Sequence, residues 1–187
     1  AHDIFKRFAK VFEQTYTRFL DLQRAEAQAR EAIKQASLDR VRAEIASMRS
    51  AEDLQRITPL VWHELTILGV PFIRCGVFII DEGYAHVRSY LSTTDGHSLT
   101  VLDLPFGTNQ ITDQVVAHWK KKRAFQDHWD REQFVTWMQS MIEQHRLQNR
   151  EEILGTTAPP ESLYLNFIPS RQGMLYVGNT AELSADE

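Results

Sequence analysis

Apolar residues in the first 48 positions recur at the spacing of an amphipathic helix. This part of the chain holds none of the eight glycines and none of the six prolines. It is rich in Ala, Glu, Gln, Arg and Leu, which are strong helix formers. A single helix of this length would extend for roughly 70 Å. The apolar positions are Phe5, Phe8, Phe12, Tyr16, Phe19, Leu22, Ile33, Leu38, Val41, Ile45 and Met48.

The last four of these positions, from Leu38 to Met48, follow one another at steps of three, four and three residues. This is the a/d spacing of a coiled-coil seam. Apolar seams of this length are uncommon in water, so the pattern predicts a parallel homodimer. The alternative is that the helix folds back and its aromatic first turns join the core of the same domain. The candidate dimer-interface residues are Phe5, Phe8, Phe12, Leu38, Val41, Ile45 and Met48.

The pattern after Ser50 predicts an α+β fold, in which a central antiparallel sheet is flanked by helices. Residues 1–48 would form a signalling helix and residues 49–187 one domain. A second helix is expected over 51–68, with Ser50 as its cap, and Pro59 should kink it or separate its first turn. The later predicted elements are strands over 72–80, 84–91 and 99–104, helices over 111–122 and 131–153 with an extended piece over 125–128, and strands over 162–168 and 174–177.

Composition and charge narrow the class of protein. The net charge of −4 argues against general nucleic-acid binding, which requires a basic face. No apolar run reaches the ~20 residues that span a bilayer, and no signal peptide pattern begins the chain, so the sequence predicts no membrane insertion. Cys75 is the only cysteine and cannot form an internal disulfide, which favours a cytoplasmic location.

Four segments of the chain carry a family resemblance. Residues 7–32 read RFAKVFEQTYTRFLDLQRAEAQAREA, and residues 38–54 read LDRVRAEIASMRSAEDL. Residues 74–81 read RCGVFIID, and residues 173–187 read GMLYVGNTAELSADE. In that order they resemble the connecting helix, the opening of the next repeat, the first strand and the last strand of GAF-like sensor repeats. Such repeats occur in bacterial signalling proteins, often histidine kinases.

The resemblance implies a GAF-like domain, with a six-stranded antiparallel sheet and helices on one face. It also implies a non-catalytic regulatory module that binds a small molecule or relays a helix movement. The output domain would lie in the same chain and could be a histidine kinase or a nucleotide cyclase. The Asn-Lys-Phe-Asp-Glu string of cyclic-nucleotide-binding members is absent, and Cys75 precedes Gly76 rather than the His of bilin-binding members. The sequence therefore identifies no cofactor.

Aromatic residues concentrate between Trp119 and Trp137. In a GAF-like arrangement this segment would cover the face of the sheet where ligands bind. Aromatic walls with a few polar groups are typical of small-molecule pockets, although ordinary core packing is the alternative. The candidate ligand-binding residues are Arg74, Trp119, Phe125, His128, Trp129, Phe134 and Trp137.

No group of residues predicts a catalytic centre or a metal site. His63 and Glu64 are similar to the start of the phospho-acceptor box of histidine kinases, but Leu65 and Thr66 follow where that box has a basic residue and Thr-Pro. The single Cys75 argues against a reductase that uses several cysteines. Two alternatives stay open, namely a dimerisation spacer without a ligand and a phospho-acceptor fragment that uses His63.

The last four residues, Ser184 to Glu187, fit the capping-box pattern of a helix start. We therefore expect a further helix beyond Glu187 and a preceding sensor repeat before Asp3. The chain would then be a segment of a longer relay.

Overall fold

The fold is α+β, with one long helix followed by a six-stranded antiparallel sheet. The structure is a computed structural model that describes residues 2–50, 53–99, 101–155 and 157–183 of the chain. The predicted helix start at Ser184–Glu187 lies outside these residues. The elements are α1 (His2–Ser47), α2 (Leu54–Ile67), β1 (Arg74–Asp81), β2 (His86–Leu91), β3 (Leu102–Pro105), α3 (Gln110–Lys120), β4 (Phe125–Asp130), α4 (Arg131–Glu143), α5 (Glu151–Leu154), β5 (Ser162–Pro169) and β6 (Gly173–Asn179).

Helix α1 contributes little to the core of the chain. From Asp3 to Ala36 every side chain is exposed except the half-buried Leu20. Contact with the domain begins at Ser37, which is buried, and is made mainly with α2. The aromatic first turns therefore do not fold back into the domain. Within the described ranges, none of the helices combines the length and the apolar character that crossing a bilayer requires.

The sheet has the strand order β3-β2-β1-β6-β5-β4, and every neighbouring pair is antiparallel. Consecutive strands β1 to β3 form one half, and β4 to β6 form the other. The first and last strands pair at the centre, where Val77 lies opposite Leu175. Helices α3 and α4 lie between β3 and β5 in sequence and pack against the second half of the sheet.

Side chains alternate between the two faces of β1, as they do in any strand. Phe78 and Ile80 enter the main core with residues of α3 and α4, and this side is called the core face. Cys75 and Ile79 lie on the opposite face, beneath α2, where Ile79 packs on a second apolar cluster with Ile57. Helices therefore cover both faces of the sheet, whereas the family resemblance implied one.

The helix predicted over 131–153 is wrong in its second half. Helix α4 ends at Glu143, and the chain then turns before α5. His145 adopts a positive φ of 55° in this turn. The turn brings Leu147 and Ile153 back into the core, and their burial outweighs the continuation of an exposed helix. No glycine or proline marks the break in the sequence. The other predicted boundaries agree with the structure to within three residues.

Helix α2 begins differently from the expectation. Its N-cap is Asp53 rather than Ser50, and the Asp53 carboxylate accepts hydrogen bonds from the backbone N–H groups of Arg49 and Ser50 at 2.8 and 3.1 Å. The helix also runs through Pro59 without a break. Proline removes one hydrogen bond, to the carbonyl four residues earlier. That carbonyl belongs to the exposed Gln55, where water is available as a partner.

Candidate ligand-binding site

Two adjoining cavities lie on the core face of the sheet. The inner cavity has a volume of about 40 Å³, and the outer cavity has a volume of about 300 Å³. They share four lining residues, so we treat them as one chamber with an inner and an outer part. The shared residues are Arg74, Phe134, Leu163 and Tyr176.

Four of the seven candidate ligand-binding residues line this chamber. Arg74 begins β1, and Trp129 lies near the end of β4. Phe134 and Trp137 follow on α4, with their ring centroids 6.0 Å apart. Helix α4 starts immediately after β4 because Asp130 caps it with a capping box to Gln133, and this sharp junction sets both aromatic groups over the same part of the sheet.

The other three candidates lie elsewhere. Phe125 stacks on Phe167 at 4.7 Å and fills core. The indole N–H of Trp119 donates to the Ser170 carbonyl at 3.1 Å, just beyond the end of β5, and Trp119 is not among the residues that line the chamber. His128 is exposed on the other face of the sheet, since it alternates with Trp129 along β4. The structure therefore does not bring Trp119, Phe125 or His128 to the chamber.

Among the described residues that line the chamber, Arg74 is the only one with a charged side chain. Its side chain is 7% exposed, and one terminal nitrogen donates to the carbonyl of Ile153 in α5. Its Nε has no hydrogen-bond partner among the described residues. Burial lowers the pKa of the Arg74 guanidinium, although an arginine remains protonated at neutral pH. The lining residues that the structure describes include no carboxylate that would balance this charge.

Sequence reasoning missed several chamber residues. Ser89 on β2 and Tyr176 on β6 are buried against the inner cavity, and Thr157 lines the outer cavity from the loop after α5. Burial raises the pKa of the Tyr176 phenol to about 12, so its hydroxyl stays neutral. The alternation of side chains along β2 and β6 places Ser89 and Tyr176 on the core face. No sequence pattern, however, predicts a cavity beside them.

A separate apolar groove lies on the opposite face of the sheet. Its volume is about 820 Å³, and it is formed by the last turns of α1, by α2 and by β1 and β6. The second half of the predicted dimer seam faces this groove, whereas the first half is exposed on α1. Dimerisation through either half stays a prediction. The seam residues that line the groove are Leu38, Val41, Ile45 and Met48.

An ion pair joins α1 to α2 at one side of the groove. Arg40 donates to both carboxylate oxygens of Glu64 at 2.6 Å, from Nε and from a terminal nitrogen. Glu64 is 3% exposed, whereas the Arg40 side chain is 49% exposed. The hydrogen bonds from Arg40, with a further contribution from the Ser37 hydroxyl, lower the pKa of Glu64 to about 2 although burial opposes them. This bidentate pair ties the end of the long helix to the domain.

The remaining candidates for chemistry occupy unremarkable positions. His63 is exposed on α2 and lies beside Glu64. Cys75 is fully buried, and burial raises the pKa of its thiol to about 11, so it is protonated at neutral pH. Among the residues that the structure describes, no three His, Cys, Asp or Glu side chains are grouped as metal ligands would be.

Comparison of the chain with protein-family models, with curated proteins and with solved structures finds no match.

Proposed function

We propose that the chain is a regulatory module of a signal-transduction protein, with a GAF-like domain and a signalling helix. It pairs with a second copy through α1, binds a small molecule in the chamber, and relays a change there to an output domain in the same protein. The module itself carries out no catalysis. Its proposed location is the cytoplasm.

The exposed apolar stripe of α1 is the observation that carries this proposal. Eleven large apolar side chains from Ile4 to Ile45 on α1 are exposed, including four phenylalanines. Phe8 and Phe12 are 72% and 71% exposed. No other part of the described chain covers them, and apolar surface of this extent marks an interaction site. A parallel second copy offers the same stripe in register.

Strand β1 supplies a physical route from the chamber to α1. Arg74 lines the chamber on one face of β1, and Val77 and Ile79 line the groove on the other. The groove is closed by α2, which is tied to α1 by the Glu64–Arg40 pair. A shift of β1 on ligand binding would therefore act on α2 and on the end of α1. Small helix shifts of this kind are an established form of switching.

Sedimentation velocity at micromolar concentration tests the dimer on which the proposal depends. Full burial of a phenylalanine contributes about 1.5–3 kcal/mol, and about 70% of Phe8 and Phe12 is still available, so each gains roughly 1–2 kcal/mol. A dimer contains four such side chains. The Phe8→Glu/Phe12→Glu variant should therefore raise the dimer dissociation constant at least about a thousandfold.

The matched control is Gln14→Glu/Gln28→Glu, which changes the charge of α1 equally at exposed positions off the stripe. This control should sediment as the unaltered protein does. A monomeric unaltered protein, or equal weakening by both double variants, would contradict the proposal. A dimer with no ligand under any condition would favour the spacer alternative.

A further inference from the structure

The chamber contains hydrogen-bond donors that have no acceptor. Six buried side-chain atoms lack a partner among the described residues, and three of them belong to residues that line the inner cavity. These are the Nε of Arg74, the Oγ of Ser89 and the Nε1 of Trp137. The arginine and indole nitrogens donate and never accept, and a serine hydroxyl also donates. Unpaired buried donors are costly, so an acceptor is expected between them.

The charge of the chamber restricts the charge that the acceptor can carry. Arg74 contributes one positive charge, and the other lining residues are apolar or neutral. A monoanion would neutralise the buried guanidinium, whereas a dianionic phosphate would leave a net negative charge in an apolar enclosure. An unbalanced buried charge is strongly unfavourable. Arginine also matches the planar carboxylate geometry, because its fork donates two parallel hydrogen bonds.

The outer cavity restricts the size and polarity of the rest of the ligand. Its volume of about 300 Å³ is at the lower end of the range for small-molecule sites. Apolar side chains supply much of its lining, among them Ile73, Leu154 and Leu163, with threonine hydroxyls between them. The inner cavity of about 40 Å³ holds no more than a few atoms. The chamber thus fits a small acidic head group with a short apolar body.

We propose that the chamber binds a small monocarboxylate, whose carboxylate accepts hydrogen bonds from Arg74 and the neighbouring donors Ser89 and Trp137. The apolar body lies in the outer cavity against Leu154 and Leu163. This inference rests on the proposed sensor function and names the class of its ligand. Hydrogen bonds to a charged group make the carboxylate, rather than the apolar body, the main determinant of selectivity.

Tryptophan fluorescence titration of the full chain tests this inference, because Trp129 and Trp137 line the cavity. The probes are sodium hexanoate and sodium benzoate, their neutral counterparts hexanamide and benzamide, and sodium phosphate, all at constant ionic strength. We expect saturable binding of at least one carboxylate. Its amide should bind at least about tenfold more weakly, since the charge-assisted hydrogen bonds are lost. Phosphate should not compete.

Two sets of variants locate the site. Arg74→Met should abolish carboxylate binding, whereas Arg88→Met, an exposed arginine on the other face of the sheet, should leave it unchanged. Because Arg74→Met also removes a bond to α5, Ser89→Ala and Trp137→Phe serve as milder variants. Each should weaken binding several-fold by removal of one donor.

Four outcomes would each overturn the inference. In the titrations they are no binding of either carboxylate, equal affinity for a carboxylate and its amide, or tighter binding of phosphate. In the variants it is unchanged binding in Ser89→Ala and Trp137→Phe. Sedimentation of the same samples separates this failure from failure of the proposed function. A dimer that binds none of the carboxylates contradicts the ligand class alone. A monomer contradicts the regulatory module itself.

Discussion

Replacement of Glu64 by Gln tests the junction through which α1 would communicate with the domain. Glu64→Gln keeps the size of the side chain but removes the charge that Arg40 binds at 2.6 Å. Hydrogen bonds to charged groups contribute about 1.5–3 kcal/mol each, but the half-exposed Arg40 is screened by water, so a total near 1.5–3 kcal/mol is reasonable. For a chain of this length that corresponds to a fall in melting temperature of roughly 3–12 °C at pH 7.

The pH dependence of this loss is more specific than its size. The pKa of Glu64 lies at about 2 in the folded chain, below the ordinary value of 4.5. A lowered carboxyl pKa stabilises the folded state above the unfolded pKa, and this stabilisation is lost as the pH falls towards the folded pKa. The difference in melting temperature between the two proteins should therefore be constant above pH 5, shrink below it, and vanish near pH 2.

Thermal unfolding followed by tryptophan fluorescence across this pH range provides the measurement. Glu31→Gln, which removes an exposed carboxylate from α1, is the control and should change the melting temperature little. A Glu64→Gln variant as stable as the unaltered protein at pH 7 would refute the reasoning. A difference in melting temperature that persists unchanged at pH 2 would show that packing of the Glu64 side chain, and not its charge, stabilises the contact between α1 and α2.

Two further predictions follow from burial and exposure. Cys75 should resist alkylation by iodoacetamide at pH 8 in the folded chain and react once urea unfolds it. The reason is that its thiol is buried and has a pKa of about 11. Rapid reaction of the native chain would contradict the buried position of Cys75. Leu38→Glu/Ile45→Glu should weaken the dimer, since these side chains are 41% and 51% exposed at the edge of the groove. If the variant sediments as the unaltered protein does at a concentration near the dimer dissociation constant, the interface is restricted to the first half of α1.

Regular patterns made the helices and strands predictable. The breaker-free start of the chain gave one helix, because strong helix formers and a period near 3.6 agree over its whole length. The glycines and β-branched runs marked most strands to within three residues. The end of α4 was missed because the chain turns there to bury Leu147 and Ile153, and such tertiary packing leaves no local signal.

The candidate site was predictable only in part. Arg74, Trp129, Phe134 and Trp137 were found because a cluster of aromatic residues near a strand with a charged start is visible in the sequence. The same argument included Trp119, Phe125 and His128. Alternation along β4 separates His128 from Trp129, but the sequence does not say which face of the sheet, or which part of that face, holds a cavity. Ser89 and Tyr176 come from distant strands, and only the sheet pairing places them beside Arg74.

The central claim is that α1 pairs in parallel with α1 of a second copy, and distances between spin labels test it most directly. Labels would be attached in separate samples at Lys6→Cys and Lys34→Cys, both exposed positions on α1, while buried Cys75 stays unlabelled. A parallel pair should give similar distances, under about 35 Å, at both positions, because the helix axes lie about 10 Å apart along their length. An antiparallel pair must give a distance above about 40 Å at one position or both, since 28 residues of helix extend for about 42 Å. Such a distance, or the absence of any intermolecular coupling, would contradict the account.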